Sequence, residues 1–505
     1  MKRRIFFGLL SSLLFFFSFF IPCFAHANPF ETIVKKVEKI TLKNGMRVLL
    51  VERPDSPSIS FTTYIRTGGV DDEMGFSGLA HMFEHMLFKG TKTIGTRDYQ
   101  KEKKILDAMD LVQEKILLEK SQKVPNQQIL AQYSAEFKKL EEAHESVLIR
   151  QEFWQIYEQA GGEGLNASTG YDFTNYRVTL PKNQLKLWMI MESDRILNPV
   201  LREFYKERDV IMEERRQRTE ASPQGKLWEQ FLAAAYIAHP YGRPIVGWES
   251  DIHRMLRRDA ELFFSKHYDI SRFVLVIVGG FESAQVKTYL KQYFETIPSR
   301  SSLLNNRDLI PVEPPQEGER RAKVFYDAEP SVLIGFHVPS IGHADAAPLY
   351  ILGELFDQGR FSLFYRNLVE KKKVAASVWA GSTAPGDRYP SLFTIGGSPR
   401  FPYTNADLEK AIYEEIENLK KTGASLADLN RVKNNIEASL VRDLVSDSGL
   451  ADNLGIFECL AEDWNTLFHF INKLREVTPQ DVSRVLSTYL IEKNRTVATL
   501  EREKK

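Results

Sequence analysis

Apolar and polar residues first alternate regularly in Lys39 to Val51, where two short runs flank Asn44-Gly45 and predict a two-stranded hairpin. Ser58 to Arg66 alternates in the same way and predicts another strand. From Ser77 to Lys89 the period changes, and the apolar positions fall at helical spacing. Phe204 to Arg216 predicts a second helix, with Val210 and Ile211 on its inner side. Met255 to His267 reads as a charged helix, and Phe273 to Val278, ended by Gly279-Gly280, as a buried strand. The later part of the chain repeats this order: Ser331 to His337 as a strand, Pro348 to Asp357 as a helix, Thr478 to Leu490 as a helix and Thr496 to Leu500 as a closing strand.

The repetition predicts an α+β fold of two homologous repeats, each an antiparallel-rich sheet covered by helices. A stretch rich in proline and charge, residues 298–322 with Pro311, Pro314 and Pro315, predicts the linker between an N-terminal domain at 28–297 and a C-terminal domain at 323–505. Between Tyr99 and Tyr157 the chain becomes strongly charged, with Leu106, Met109, Ile116 and Leu117 at helical spacing before Pro125, and Phe137, Leu140 and Val147 after it. This region, about residues 100–157, predicts a helical hairpin whose first helix ends at Pro125 and which stands out as a solvated arm.

Three basic residues, Lys2, Arg3 and Arg4, precede an apolar run from Ile5 to Ile21, and Ala25-His26-Ala27 supplies small residues at the two positions a signal peptidase reads. Residues 1–27 are therefore expected to be a signal peptide cleaved after Ala27, with an uncleaved membrane anchor as the alternative. Cleavage implies export, expected to the periplasm with secretion or an N-terminal anchor as alternatives, and Cys459 would then be the only cysteine, leaving the fold to rest on its core without a disulfide. With 505 residues, 43% of them hydrophobic, the chain can build that core. Its 67 basic and 67 acidic residues leave no net charge, which removes any general electrostatic case for nucleic acid, and no membrane role is expected beyond the N-terminus.

The candidate chemistry lies in His81-Met82-Phe83-Glu84-His85. On a helix, His81 and His85 share one face four residues apart, with Glu84 beside them. Neutral imidazoles suit zinc, and a neighbouring carboxylate can take a proton from water activated there. The order His-x-x-Glu-His is the inverzincin signature. A catalytic zinc needs a third protein ligand. Glu207 and Glu214, two turns apart on the Phe204 to Arg216 helix, project from nearly the same face, whereas the rival Glu213 points about 100° away from Glu214. Read alone, this helix is a solvated run of acid-base pairs, and only the upstream motif gives it a chemical meaning.

The run Gly78 to Thr91, together with Gly164-Leu-Asn-Ala-Ser-Thr169, His239-Pro-Tyr-Gly242 and the Glu207/Glu214 helix, resembles the pitrilysin and insulin-degrading (inverzincin) zinc metallopeptidases over most of the mature chain. The resemblance implies one Zn2+ per chain held by His81, His85 and Glu214, Glu84 as general base and Glu207 as the supporting acid. It makes Asn166, Ala167, Ser168 and Thr169 part of an edge strand on which an extended peptide adds as a further strand. Glu214 follows His85 at a longer interval than in many relatives, which the helical hairpin explains as an insertion. The Tyr350 to Phe356 segment, in the place corresponding to the metal helix, has no ligand set, so the second repeat is zinc-free.

Family members that act alone carry an Arg and a Tyr in the second half that grip substrate near the scissile bond. Here Val369 and Ala376 fall at those positions, and only Arg366 nearby could take over. The chain is therefore expected to be the zinc-bearing half of a clamshell: a metalloendopeptidase acting on extended or unfolded peptides, whose zinc-free homologous partner subunit supplies Arg and Tyr in a heterodimer, in preference to a homodimer. The alternatives are a non-catalytic assembly protein of the same fold and a processing peptidase with one protein target.

Overall fold

The computed structural model describes residues 29–299 and 310–503. The expected signal peptide and most of the first half of the expected linker lie outside the described residues.

Two sheets organise these residues. The first comprises β1 (Val37–Thr41), β2 (Arg47–Glu52), β3 (Ser58–Ile65), β4 (Glu163–Thr169), β5 (Thr174–Pro181) and β6 (Phe273–Gly279), in the order β1-β2-β6-β3-β5-β4. The second comprises β7 (Arg320–Phe325), β8 (Ser331–Val338), β9 (Ala375–Gly381), β10 (Ser391–Pro399) and β11 (Arg495–Glu501), in the order β7-β11-β8-β10-β9. The order β2-β6-β3-β5-β4 thus recurs as β7-β11-β8-β10-β9, and in each sheet the last strand makes one parallel pair, β2 with β6 and β7 with β11, while the other pairs are antiparallel. Two copies of one α+β plan account for this match. The expected linker to 322 runs too far, because Arg320 to Ala322 already pair with Thr496 to Ala498 of β11.

In the first half the helices that matter for the site are α1 (Leu79–Met86), α2 (Tyr99–Lys120), α3 (Gln127–Glu145), α4 (Phe204–Arg215), α5 (Pro223–Ala235) and α6 (Arg257–His267); in the second, α7 (Ala346–Phe356) and α8 (Asp447–Ala461). One face of the first sheet packs on helices of its own half through Met82, Phe83, Met86 and Phe263, with Ile59, Phe61, Leu275 and Ile277 contributed by the strands. Its other face is covered from the second half: Leu450, Ala451 and Leu454 of α8 lie against Leu49, Val274, Val276 and Val278. In return α5 covers the second sheet, with Leu227, Phe231, Leu232 and Ala235 against Leu333, Leu392, Ala498 and Leu500. Each half therefore lends the other a helix. That exchange explains why β6 reads as an unbroken apolar run, since a strand with helices on both faces has no polar side.

The hairpin of α2 and α3 is present, but its details differ from expectation. Helix α2 stops at Lys120, and Pro125 sits ahead of Asn126, whose side chain caps α3 by accepting from the amides of Gln128 and Ile129. Although α3 is largely exposed, with His144 its one buried residue, helix α2 is also no solvated arm. Leu106, Met109, Val112 and Ile116 are buried, and the charges of its inner face are paired: Glu102 with Arg202, and Asp110 with Arg257 and Tyr205.

Candidate metal centre

Helix α1 owes its position to three devices. Its apolar residues Leu79, Ala80, Met82, Phe83 and Met86 enter the core, where Phe83 meets Phe263, Phe264 and Tyr268. Its first turn is capped by Asp72, whose carboxylate accepts from the amides of Gly78 (2.7 Å) and Ala80 (2.9 Å). Burial pushes that carboxyl up to about 7 against the pull of the two amides. Gly78 starts the helix at φ +93° and lies so close to the Val246-Gly247 backbone that a methyl group there would fall 2.4 Å from the Val246 carbonyl oxygen. The remaining face, His81, Glu84 and His85, borders a cleft of about 550 Å³.

Helix α4 brings the acids to that cleft. Ile211 is buried and anchors the helix, whereas Val210, expected on the inner side, is 44% exposed. The inward face is the one shared by Glu207, Ile211 and Glu214, at i, i+4 and i+7, and Val210 lies off it. Ligand atoms of His81, His85 and Glu214 all lie within 4.8 Å of one another. His81 Nε2 is 3.5 Å from Glu214 Oε1, and His85 Nε2 is 3.7 Å from Glu214 Oε2. Glu213 turns away to Arg216.

The neutral His81 and the ionised Glu207 suit a cation. Burial, reinforced by the charges of His85 and Arg218, drives the His81 imidazole down to about 3, so that it is neutral at ordinary pH. Its Nδ1 is buried with no hydrogen-bond partner. Burial also opposes protonation of His85, but the hydrogen bond to Glu207 and the charges of Glu207, Glu214 and Glu84 outweigh it and raise its pKa. His85 Nδ1 faces Glu207 Oε2 at 3.2 Å, leaving Nε2 toward Glu214. Burial would raise Glu207, yet the contacts with His85 and Lys89 hold it below the ordinary carboxylate value. Two nitrogens and a carboxylate converging with no hydrogen bond among them fit a zinc site.

Ala167, Ser168 and Thr169 line the same cleft on β4, whose outer edge is unpaired. Asn166 lies apart from them and lines a second cavity, of about 690 Å³, with Arg177 and with Asp447 and Asp452 of α8. Val369 packs partly buried against the second core, and Ala376 is exposed on β9, the counterpart of β4. Arg366 is bound to Asp428 at 3.2 Å.

Some neighbours went unrecognised in the sequence. Arg218 reaches back to Glu214 Oε1 at 2.6 Å, and the Glu-x-x-x-Arg spacing was a signal for it. Lys89, in the turn after α1 and four residues beyond His85, contacts Glu207. Asp72 carries no local signal, since only the fold brings its loop to the start of α1.

Comparison with known proteins places the chain among peptidases. The profile described as Insulinase (Peptidase family M16) matches residues 47–109 and 148–248, and Peptidase M16 inactive domain matches 256–436. The first match skips 110–147, within the α2/α3 hairpin, and the second spans α7, which has no histidine. The chain is 28% identical over 482 residues to "Zinc protease PqqE" of Helicobacter pylori, covering 93% of this chain and 94% of that protein. A solved protease from Helicobacter pylori superposes with a TM-score of 0.77 at 26% identity, over 92% of this chain and 99% of that one. The first half of the periplasmic protease PqqL from Escherichia coli superposes at 0.67, with 17% identity and 92% of each chain covered. Folds and motifs of this kind define a peptidase class. The chain belongs to the insulinase (M16) peptidase family.

Proposed function

We propose that the chain is a zinc-dependent metalloendopeptidase of extended or unfolded peptides. The observation that carries this reading is the convergence of His81, His85 and Glu214 within 4.8 Å at a cleft that also holds Glu84 and the unpaired edge of β4. When bound by these three residues, zinc would supply the electrophile that polarises the scissile carbonyl and acidifies water. Glu84 takes the proton from the attacking water and delivers it to the leaving amine. Glu207 holds His85 by its Nδ1. The backbone of β4 at Ala167 to Thr169 pairs with the substrate's backbone, which favours chain conformation over side-chain identity.

The chain acts as the zinc-bearing subunit of a two-chain assembly. Val369 and Ala376 offer no side-chain donor, and Arg366 is engaged by Asp428, so a zinc-free homologous partner supplies the missing grip on the substrate. The apolar N-terminus with its Ala-x-Ala site supports export to the periplasm, and a similar protein is described as periplasmic. No helix among the described residues is long and apolar enough to cross a membrane. The test is hydrolysis of an unfolded peptide before and after chelation. Activity that disappears with a zinc chelator and returns with added zinc supports the reading, and activity indifferent to chelation contradicts it. Full zinc-dependent turnover by the chain alone would sink the two-chain form.

A further inference from the structure

The hairpin of α2 and α3 and the loop after α1 contain a buried polar cluster that the proposed reaction leaves unused. Arg202, 2% exposed, sits in the segment before α4. Its Nε and Nη2 donate to the two carboxylate oxygens of Glu102 on α2, at 2.8 and 3.0 Å, and His144 Nε2 on α3 lies 3.0 Å from the same Glu102. The other side of the guanidinium is caged by the loop after α1: Nη1 donates to the carbonyls of Lys89 (2.7 Å) and Ile94 (2.8 Å), and Nη2 to that of Thr91 (2.6 Å). The loop closes tightly because Gly90 and Gly95 have φ of +96° and +92°, and methyl groups there would fall 2.9 and 2.7 Å from Arg202 Nη1.

This cage fixes the backbone of Lys89, and the Lys89 side chain continues the chain of contacts. Its ammonium meets Glu207 Oε1 at 2.5 Å and Glu203 Oε2 at 3.2 Å, while the other oxygen of Glu207 faces His85 Nδ1. A carboxylate with one oxygen held by a cation has lost the freedom to rotate away from the imidazole. His81 and His85 share one face of α1, and Lys89, in the turn that follows Met86, brings its cation behind them through Glu207.

We infer that Lys89 is a positioning residue: held by the Arg202 and Glu102 cage, it fixes Glu207 and through it the orientation of His85 toward the metal. The hairpin is thereby a buttress of the metal helix. The inference rests on the zinc reading above. Partners of this kind alter metal affinity by about 10 to 100-fold when removed.

The test compares zinc affinity, by competition with a chromophoric chelator, in the full chain carrying Lys89→Met or Lys89→Arg. Lys89→Met is expected to bind zinc about 10 to 100-fold more weakly with an unchanged circular dichroism spectrum, and Lys89→Arg to recover most of the loss because it restores the cation. A purely structural lysine would shift the melting temperature and leave zinc affinity alone. Parent-like affinity in Lys89→Met, or an equal loss in Lys89→Arg, overturns the inference. A parent that binds zinc tightly beside a Lys89→Met variant that matches it sinks only this positioning role, whereas a parent that binds none sinks the zinc reading as well.

Discussion

Glu214 Oε1 lies 3.5 Å from His81 Nε2 although the whole α2/α3 hairpin separates the two residues in the chain. That approach makes one acid of α4 part of the α1 site. Glu214→Gln keeps the size and helical fit of the side chain but removes its charge. It is expected to weaken zinc binding by at least about 100-fold, beyond what loss of an outer partner costs, with little change in fold. Metal analysis after dialysis against a chelator checks this, and full zinc retention would exclude Glu214 as a ligand.

Gly78→Ala should be strongly destabilising. The position has φ +93°, and the added methyl would meet Val246 O at 2.4 Å with no flexible side chain to yield. A cost of about 3 kcal/mol or more is expected, together with reduced zinc content, because the first turn of α1 would shift. Urea denaturation measures the first effect, and a parent-like midpoint would refute it.

His267 should make the protein acid-sensitive. Its imidazole is buried with neither ring nitrogen hydrogen-bonded, and burial holds its pKa down to about 4. An unfolded histidine titrates near 6.5, so between these values the unfolded chain binds the proton and the folded chain does not. Stability is fully present above 6.5 and falls as the pH drops toward 4. Between pH 7 and 5 the parent should lose about 2 kcal/mol more than His267→Leu. Equal losses in urea titrations at the two pH values would contradict this.

The two halves are fastened at their hairpin turns. Asp172, beside β4, accepts from the Tyr241 hydroxyl (2.5 Å) and from the amides of Asp387 and Arg388 (2.7 and 3.1 Å) in the turn before β10. Asp172→Ala strands three donors in the interior and should cost about 3 kcal/mol, whereas Asp172→Asn should cost less because its carbonyl can still accept. Comparable melting temperatures for Asp172→Ala and the parent would show that the clasp is dispensable.

Much of this architecture was legible because it is local. The hairpin at Asn44-Gly45, the period change at Ser77 and the two-turn spacing of Glu207 and Glu214 all depend on neighbouring residues. Misreadings arose where distant partners decide. Val210 looked inward because it adjoins Ile211 in an otherwise polar helix, but the cleft draws the Glu207/Glu214 face inward and leaves Val210 outside. The charged stretch from Tyr99 read as a solvated arm because Arg202 and Arg257, which pair with its Glu102 and Asp110, lie far along the chain. The exchange of α5 and α8 between sheets leaves no periodic mark, since an amphipathic helix does not state which sheet it covers. Asn166 belongs to the same strand as Ala167 to Thr169, yet position along that strand decided which cavity each residue meets.

The most direct measurement is zinc content and peptide hydrolysis side by side for the parent and Glu84→Gln, with any required partner present at equal concentration. About one zinc per chain in both proteins, with hydrolysis reduced at least about a thousandfold in the variant, is the predicted result, since the variant keeps the metal residues and loses only the base. A Glu84→Gln chain that cleaves peptides as fast as the parent, or a parent that holds no zinc, would contradict the account.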